Sequence, residues 1–151
     1  MANSAAICTS FKVDLLNGVH AFGTTVTRGG TGADTFNGAL YLASGSLGAG
    51  TTAYSATSEV SGTNYTAGGT AVTNATAPTS SGTTAYWTPS ASLAWTTVTL
   101  STAFDTVLIY NSTQSNKAVG VYTFGSQTVT AGNFTLTMPS NTSSTALIQL
   151  A

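Results

Sequence analysis

Charge is what this chain lacks most. Of its 151 residues only seven carry a formal charge at neutral pH, three Lys or Arg and four Asp or Glu, where an ordinary soluble domain has about a quarter. A soluble monomer uses charge for solubility and to keep sheet edges from pairing with other chains. A chain without it is either coated in neutral polar groups or held against partners. The basic residues, Lys12, Arg28 and Lys117, are scattered; phosphate binding needs them clustered, so nucleic acid is not an expected partner. Cys8 is the single cysteine and His20 the single histidine. An internal disulfide is thereby excluded. A zinc site would have to be built mostly from the few carboxylates, so neither a metal nor a cofactor is expected. With no basic residue or second cysteine close by to lower its pKa, Cys8 reads as a small buried hydrophobe. No apolar run approaches the about 18 residues of a membrane-spanning helix, so no membrane partner is expected. The opening Met1-Ala2-Asn3-Ser4-Ala5-Ala6-Ile7 lacks the basic start and apolar stretch of a signal peptide, which predicts synthesis in a cytosol without general export.

What the chain does have is enough apolar material for one core. Hydrophobic residues make up 42% of the sequence, and the length suits a single domain. Net charge of −1 and a mean hydropathy of +0.21 are not the low-hydropathy, high-charge signature of disorder. Much of the apolar content is alanine, so the core is expected to be thin. Its larger side chains fall in short runs at 40–42, 107–110, 119–124, 134–138 and 147–150.

The sequence predicts one helix, over residues 5–18. Thr9 or Ser10 serves as N-cap, Phe11, Leu15 and Leu16 form the apolar side, Lys12 and Asp14 lie opposite, and Gly18 ends it; a strand over 6–13 is the alternative. Everything later has β character. Strands are expected near 35–43, 69–77, 83–87, 93–100, 106–111, 118–124, 127–130, 134–138 and 146–150, with Gly, Asn, Ser and Pro as punctuation. Phe134, Leu136 and Met138 alternate with Thr135 and Thr137. Around Val119 and Val121 both faces look apolar, which marks a central or interfacial strand. This spacing predicts a mainly β fold, an antiparallel β-sandwich or jelly-roll-like domain, with a short N-terminal helix. As domain organisation it reads as a single β domain over 1–151: a helix and Gly-rich arm in 1–33, then a sandwich in 34–151. Residues 45–69, rich in Gly, Ser, Thr and Ala, form a long connection of the kind that is functional, interfacial or disordered. Tyr54 and Tyr65 favour order, because their rings can be buried while their hydroxyls find partners.

No pattern for chemistry stands out. His20 with Asp14 or Asp34 and a serine could be written as a triad, but the Gly-x-Ser-x-Gly elbow is absent and Gly45-Ser46-Leu47-Gly48 fails it. His20 reads instead as a residue after a helix end that bonds the last carbonyls, or as a subunit contact. Gly29-Gly30-Thr31-Gly32 lacks the Gly-Lys-Ser/Thr of a phosphate loop and reads as a turn. Of the acids, Asp14, Asp34, Glu59 and Asp105, no two are marked as a glycosidase pair; Glu59 is expected to hold a specific partner, Arg28 or Lys117, or to cap. Sequons at Asn64, Asn74, Asn111, Asn133 and Asn141 follow from the abundance of Thr. Trp87, Trp95, Tyr86, Tyr110 and Tyr122 fit either a sugar platform or core and interface, and the second is favoured. Tyr86 and Trp87, adjacent in one strand, face opposite sides.

Several segments carry a family resemblance: Asp34-Thr35-Phe36 with Ala39-Leu40-Tyr41, the run from Thr52 through Tyr54, Glu59 and Tyr65 to Gly69, Leu108-Ile109-Tyr110-Asn111-Ser112-Thr113, Lys117-Ala118-Val119 and Phe124-Gly125-Ser126. Together they resemble small virion proteins encoded among the head and tail genes of tailed bacteriophages. The resemblance implies a structural virion component on the capsid surface, made in the host cytoplasm, with a capsid decoration or cement protein as first placement. The alternatives are a tail, fibre or head–tail junction subunit, or a glycan-binding host-attachment module. It implies no catalytic residue. Its expected partners are the major capsid protein or other virion subunits, and copies of itself, a trimer suiting a decoration protein. Tyr54, Glu59, Tyr65, Trp87 and Trp95 are the candidate interface residues.

Overall fold

The computed structural model describes residues 2–24 and 32–151; the Gly29-Gly30-Thr31 turn and Arg28 as a partner for Glu59 lie outside the described residues. In chain order the elements are β1 (Ala6–Ile7), α1 (Thr9–Leu16), β2 (Phe36–Leu42), β3 (Thr70–Val72), β4 (Thr79–Ser81), β5 (Thr84–Trp87), β6 (Leu93–Asn111), β7 (Lys117–Leu136) and β8 (Ile148–Leu150). All pairings are antiparallel. One sheet runs β1-β7-β6-β2-β3 and the other β4-β5-β8. Side chains of both sheets enter one core, in a sandwich-like arrangement.

The dominant unit is the β6–β7 hairpin. The expected strands 93–100 and 106–111 are one strand, β6, and the three from 118 to 138 are largely one strand, β7. Ser101-Thr102-Ala103 and Gly125-Ser126 do not end the strands because the register shift between Leu100 and Phe104 and that between Phe104 and Thr106 absorb them as local irregularities. Alternation is kept where the pairing is regular: Phe134 and Leu136 are half-buried while Thr135 is exposed. Residues 118–121 are buried on both faces, since β7 there lies between β6 and β1.

The helix is shorter than the expected 5–18, spanning Thr9–Leu16 with Ala6–Ile7 a strand before it, and it turns a different side to the core. Its N-cap is Cys8, with no side-chain cap; the Thr9 N–H donates to the Ala49 carbonyl instead. Gly18, at φ +65°, closes the helix: its N–H donates to Leu15 and that of Val19 to Asp14, a Schellman pair. Phe11 is buried, but so is Asp14 at 7% exposure, while Leu16 is 91% exposed. Asp14 goes inward because Lys117 Nζ, at the start of β7, meets both its carboxylate oxygens at 2.9 and 3.0 Å. A charge turned toward the core is tolerated only when paired.

The 45–69 connection is ordered against the sheet. Single antiparallel bridges join Tyr41 to Glu59, Ala53 to Lys117 and Thr63 to Thr99. Gly69, at φ +76°, packs so tightly on the Gly38 carbonyl that a Cβ would collide with it.

Candidate assembly interface

Glu59 is the centre of the long loop. Its Oε1 accepts hydrogen bonds from the Tyr65 hydroxyl at 2.8 Å and from the Gly68 N–H at 2.7 Å, and its Oε2 accepts from the Tyr54 hydroxyl at 2.7 Å. The loop therefore closes on one carboxylate. Both tyrosines extend the network into the sheet. The Tyr65 oxygen accepts the Leu40 N–H at 3.0 Å, and the Tyr54 ring stacks on Tyr110 with centroids 4.8 Å apart. Tyr110 in turn donates to the Gly68 carbonyl at 2.8 Å. Burial, helped by the Glu59 carboxylate, pushes the Tyr54 hydroxyl up to about 12 and that of Tyr65 well above the ordinary tyrosine range. The expected ion pair of Glu59 with Lys117 does not form, because Lys117 belongs to Asp14. Tyr54, Glu59 and Tyr65 thus meet as one internal hydrogen-bonded group, each half-buried.

The two tryptophans are elsewhere. Trp87 is 2% exposed and Trp95 5%, so neither offers a ring at the surface of the single chain. Trp87 lies against Phe22 and Phe36 and donates its indole N–H to the Thr76 carbonyl at 2.9 Å. Trp95 packs on Phe134 at 5.7 Å, and its N–H has no acceptor among the described residues. Both are core residues because the strands carrying them, β5 and β6, turn those positions inward. Tyr86, next to Trp87 in β5, is half-exposed.

The other acids are held in the same manner as Glu59. Asp34, 3% exposed, accepts from the Ala21 N–H, from Asn111 and from Gln114. Asp105 accepts from Asn3 and Thr106. Every carboxylate of the chain thus has protein donors. His20 is fully buried, lies 3.0 Å from Asn111 Nδ2 and 3.8 Å from Asp14, and packs on Phe11. It does not bond the last helix carbonyls; the Schellman pair already uses two of them. Among the described residues no three His, Cys, Asp or Glu side chains converge as a metal site would need, and no helix is long and apolar enough to cross a membrane.

Lys12, on α1, is an exposed charge; most of the remaining surface is neutral. No Asp, Glu, Lys, Arg or His occurs in 60–104 or in 118–151. Sequence reasoning missed the most exposed consequence of this. Past Tyr122 the outer side of β7 has no neighbouring strand. The signal was present as a long Thr-, Ser- and Gly-rich stretch without charge, but only the pairing order shows that it is an edge. A second feature is an apolar cleft of about 230 Å³ between α1 and the smaller sheet, lined by Phe11, Phe22, Tyr86, Trp87, Ile148 and Leu150. No protein-family model, curated protein or solved structure matches the chain.

Proposed function

We propose that this chain is a structural assembly protein, a small virion subunit of a tailed bacteriophage that decorates or cements the capsid by non-covalent contacts, and that it acts by binding without catalysis. The observation that carries the reading is the use of charge. The four carboxylates act as internal staples: Asp14 pairs with Lys117, and Asp34, Glu59 and Asp105 each accept hydrogen bonds from backbone or neutral side-chain groups. Apart from Lys12, the described exterior is left mostly with hydroxyls, amides and apolar groups, Leu16 and Val13 among them. Such a surface does not repel copies of itself and is suited to being covered. The resemblance of most of residues 34–138 to phage virion proteins supports the same reading.

Binding would come from apolar burial, worth about 25 cal/mol per Å² before association costs, and from backbone hydrogen bonding at sheet edges. Repetition over a shell adds avidity. With few ionic groups to screen, attachment is expected to change little between low and high salt. Of the five rings a sugar platform on this chain would use, Trp87, Trp95 and Tyr110 are buried and Tyr86 and Tyr122 half-buried, which favours the assembly reading.

The test is a pair of particle preparations, with and without the protein. Particles lacking it should lose resistance to heat or to internal genome pressure and regain it when the purified chain is added back. Fully stable particles that do not take up the chain would end the proposal. Antibody labelling seen at the tail instead of the head would move the subunit to the tail or junction.

A further inference from the structure

β7 changes character along its length. At Gly120 and Val121 it lies between β6 and β1. Beyond Tyr122 no strand flanks its outer side, and among the described residues no backbone–backbone hydrogen bond leaves 122–136 except those to β6. The direction of the free groups follows from the ladder. Val119 gives its carbonyl to the Cys8 N–H, so the alternate residues Val121 and Thr123 also turn their N–H and C=O away from β6. Edges of this kind are usually guarded by Lys, Pro or an inward charge. Residues 118–136 contain no Asp, Glu, Lys, Arg, His or Pro. The register shifts of the β6–β7 ladder do not divert the edge for long: the alignment that pairs Thr106 with Thr123 returns where Trp95 pairs with Phe134.

We infer that this edge is the site at which a second copy of the chain docks, β7 against β7, antiparallel about a two-fold axis. Length selects the occupant. Of the other outer strands, β1 has two residues and β3, β4 and β8 have three each, and the side of β6 beyond its pairing with β2 is crossed by the Thr63–Thr99 bridge and the Ala43 N–H to Ala103 carbonyl bond, so within this protein β7 of another copy best matches a free run of 122–136. Charge agrees. Antiparallel pairing about a two-fold sets residues near the axis against their own copies, and a charge there would face its own sign; this edge has none. Side chains agree as well. Thr123, Thr128, Thr130 and Thr135 are exposed and suit cross-strand threonine pairs. The rims of half-buried Phe124 and Phe134, whose rings lie 5.4 Å apart over Phe104, would be covered by the added strand. The inference rests on the assembly reading and makes it specific. A two-fold contact is self-complementary and cannot by itself generate a trimer.

Sedimentation equilibrium of the full chain, taken to its solubility limit, tests it. Wild type should show reversible dimerisation. With the two-fold axis between residues 131 and 132, which sets 128 of one copy opposite 135 of the other, the variants T128K/T135K and T128D/T135D, all changes at exposed positions, should each sediment as monomers with unchanged circular dichroism, and an equimolar mixture should regain association because Lys then faces Asp. Thr123→Pro, which removes one outward donor without adding charge, should weaken dimerisation by about tenfold. A wild type that is monomeric or trimeric, Lys variants that associate as tightly as wild type, or a mixture that stays monomeric would each overturn the two-fold edge. A monomeric chain that nevertheless binds particles would sink this inference alone, and a dimer that ignores particles would sink the virion reading alone.

Discussion

Removing the Glu59 carboxylate is the sharpest test of how the long loop is held. In Glu59→Ala the hydroxyls of Tyr54 and Tyr65 and the Gly68 N–H, now 2.7 to 2.8 Å from carboxylate oxygens, lose their acceptor together. Hydrogen bonds to a charged group are worth about 1.5–3 kcal/mol each. Glu59 is only half-buried, so water re-solvates part of what is freed, and the expected loss is about 2–4 kcal/mol. At the about 2–4 °C per kcal/mol typical of a domain this size, the melting midpoint should fall by roughly 4–16 °C. Glu59→Gln keeps an oxygen for Tyr65 and Gly68 and turns an amide NH₂ toward Tyr54, so it should cost about 1–2 kcal/mol. Urea unfolding followed by tryptophan fluorescence reads the magnitude. Hydrogen exchange reads the place: protection should drop at Tyr65, Gly69 and Leu40, and much less across the β6–β7 ladder. A Glu59→Ala chain within about 0.5 kcal/mol of wild type, the range of an ordinary surface change, would refute the claim that one carboxylate closes the loop.

Burial pushes the Cys8 thiol up to about 11, so an aromatic disulfide reagent at pH 8 should leave the native chain unlabelled and react fully once it is unfolded. Tyr54 is held at about 12 and Tyr41 and Tyr65 higher, chiefly by burial. Their folded pKa values exceed the unfolded value of 10.0, so stability should be intact below pH 10 and decline as pH rises from there, with midpoints from urea titrations between pH 8 and 11.5 as the check. Trp87→Ala and Trp95→Ala should each cost about 3–5 kcal/mol as core truncations, whereas Tyr86→Ala should cost clearly less; equal losses for all three by chemical unfolding would contradict the burial pattern.

The β class, the helix near the N-terminus and its glycine stop were legible in the residues themselves, because each is a local matter. Threonine and β-branched side chains fit a pleated surface, Phe134 and Leu136 keep a two-residue period with Thr135, and Gly18 takes a left-handed conformation that favours glycine. The same locality limited the reading. Nothing near Asp14 in sequence shows that Lys117 will stand beside it, and that distant partner is what turns Asp14 inward and leaves Leu16 in solvent. Nothing near Glu59 shows whether its partner is a lysine or two tyrosines, since Lys117 had already been taken by another acid. Trp87 and Trp95 have the same composition around them whether exposed or buried; only the neighbouring strands decide. The poverty of charge was set by the sequence alone. Where the remaining charges went, and that β7 is central at one end and an open edge at the other, were decided by strand order, which depends on long-range pairing that no short stretch of sequence contains.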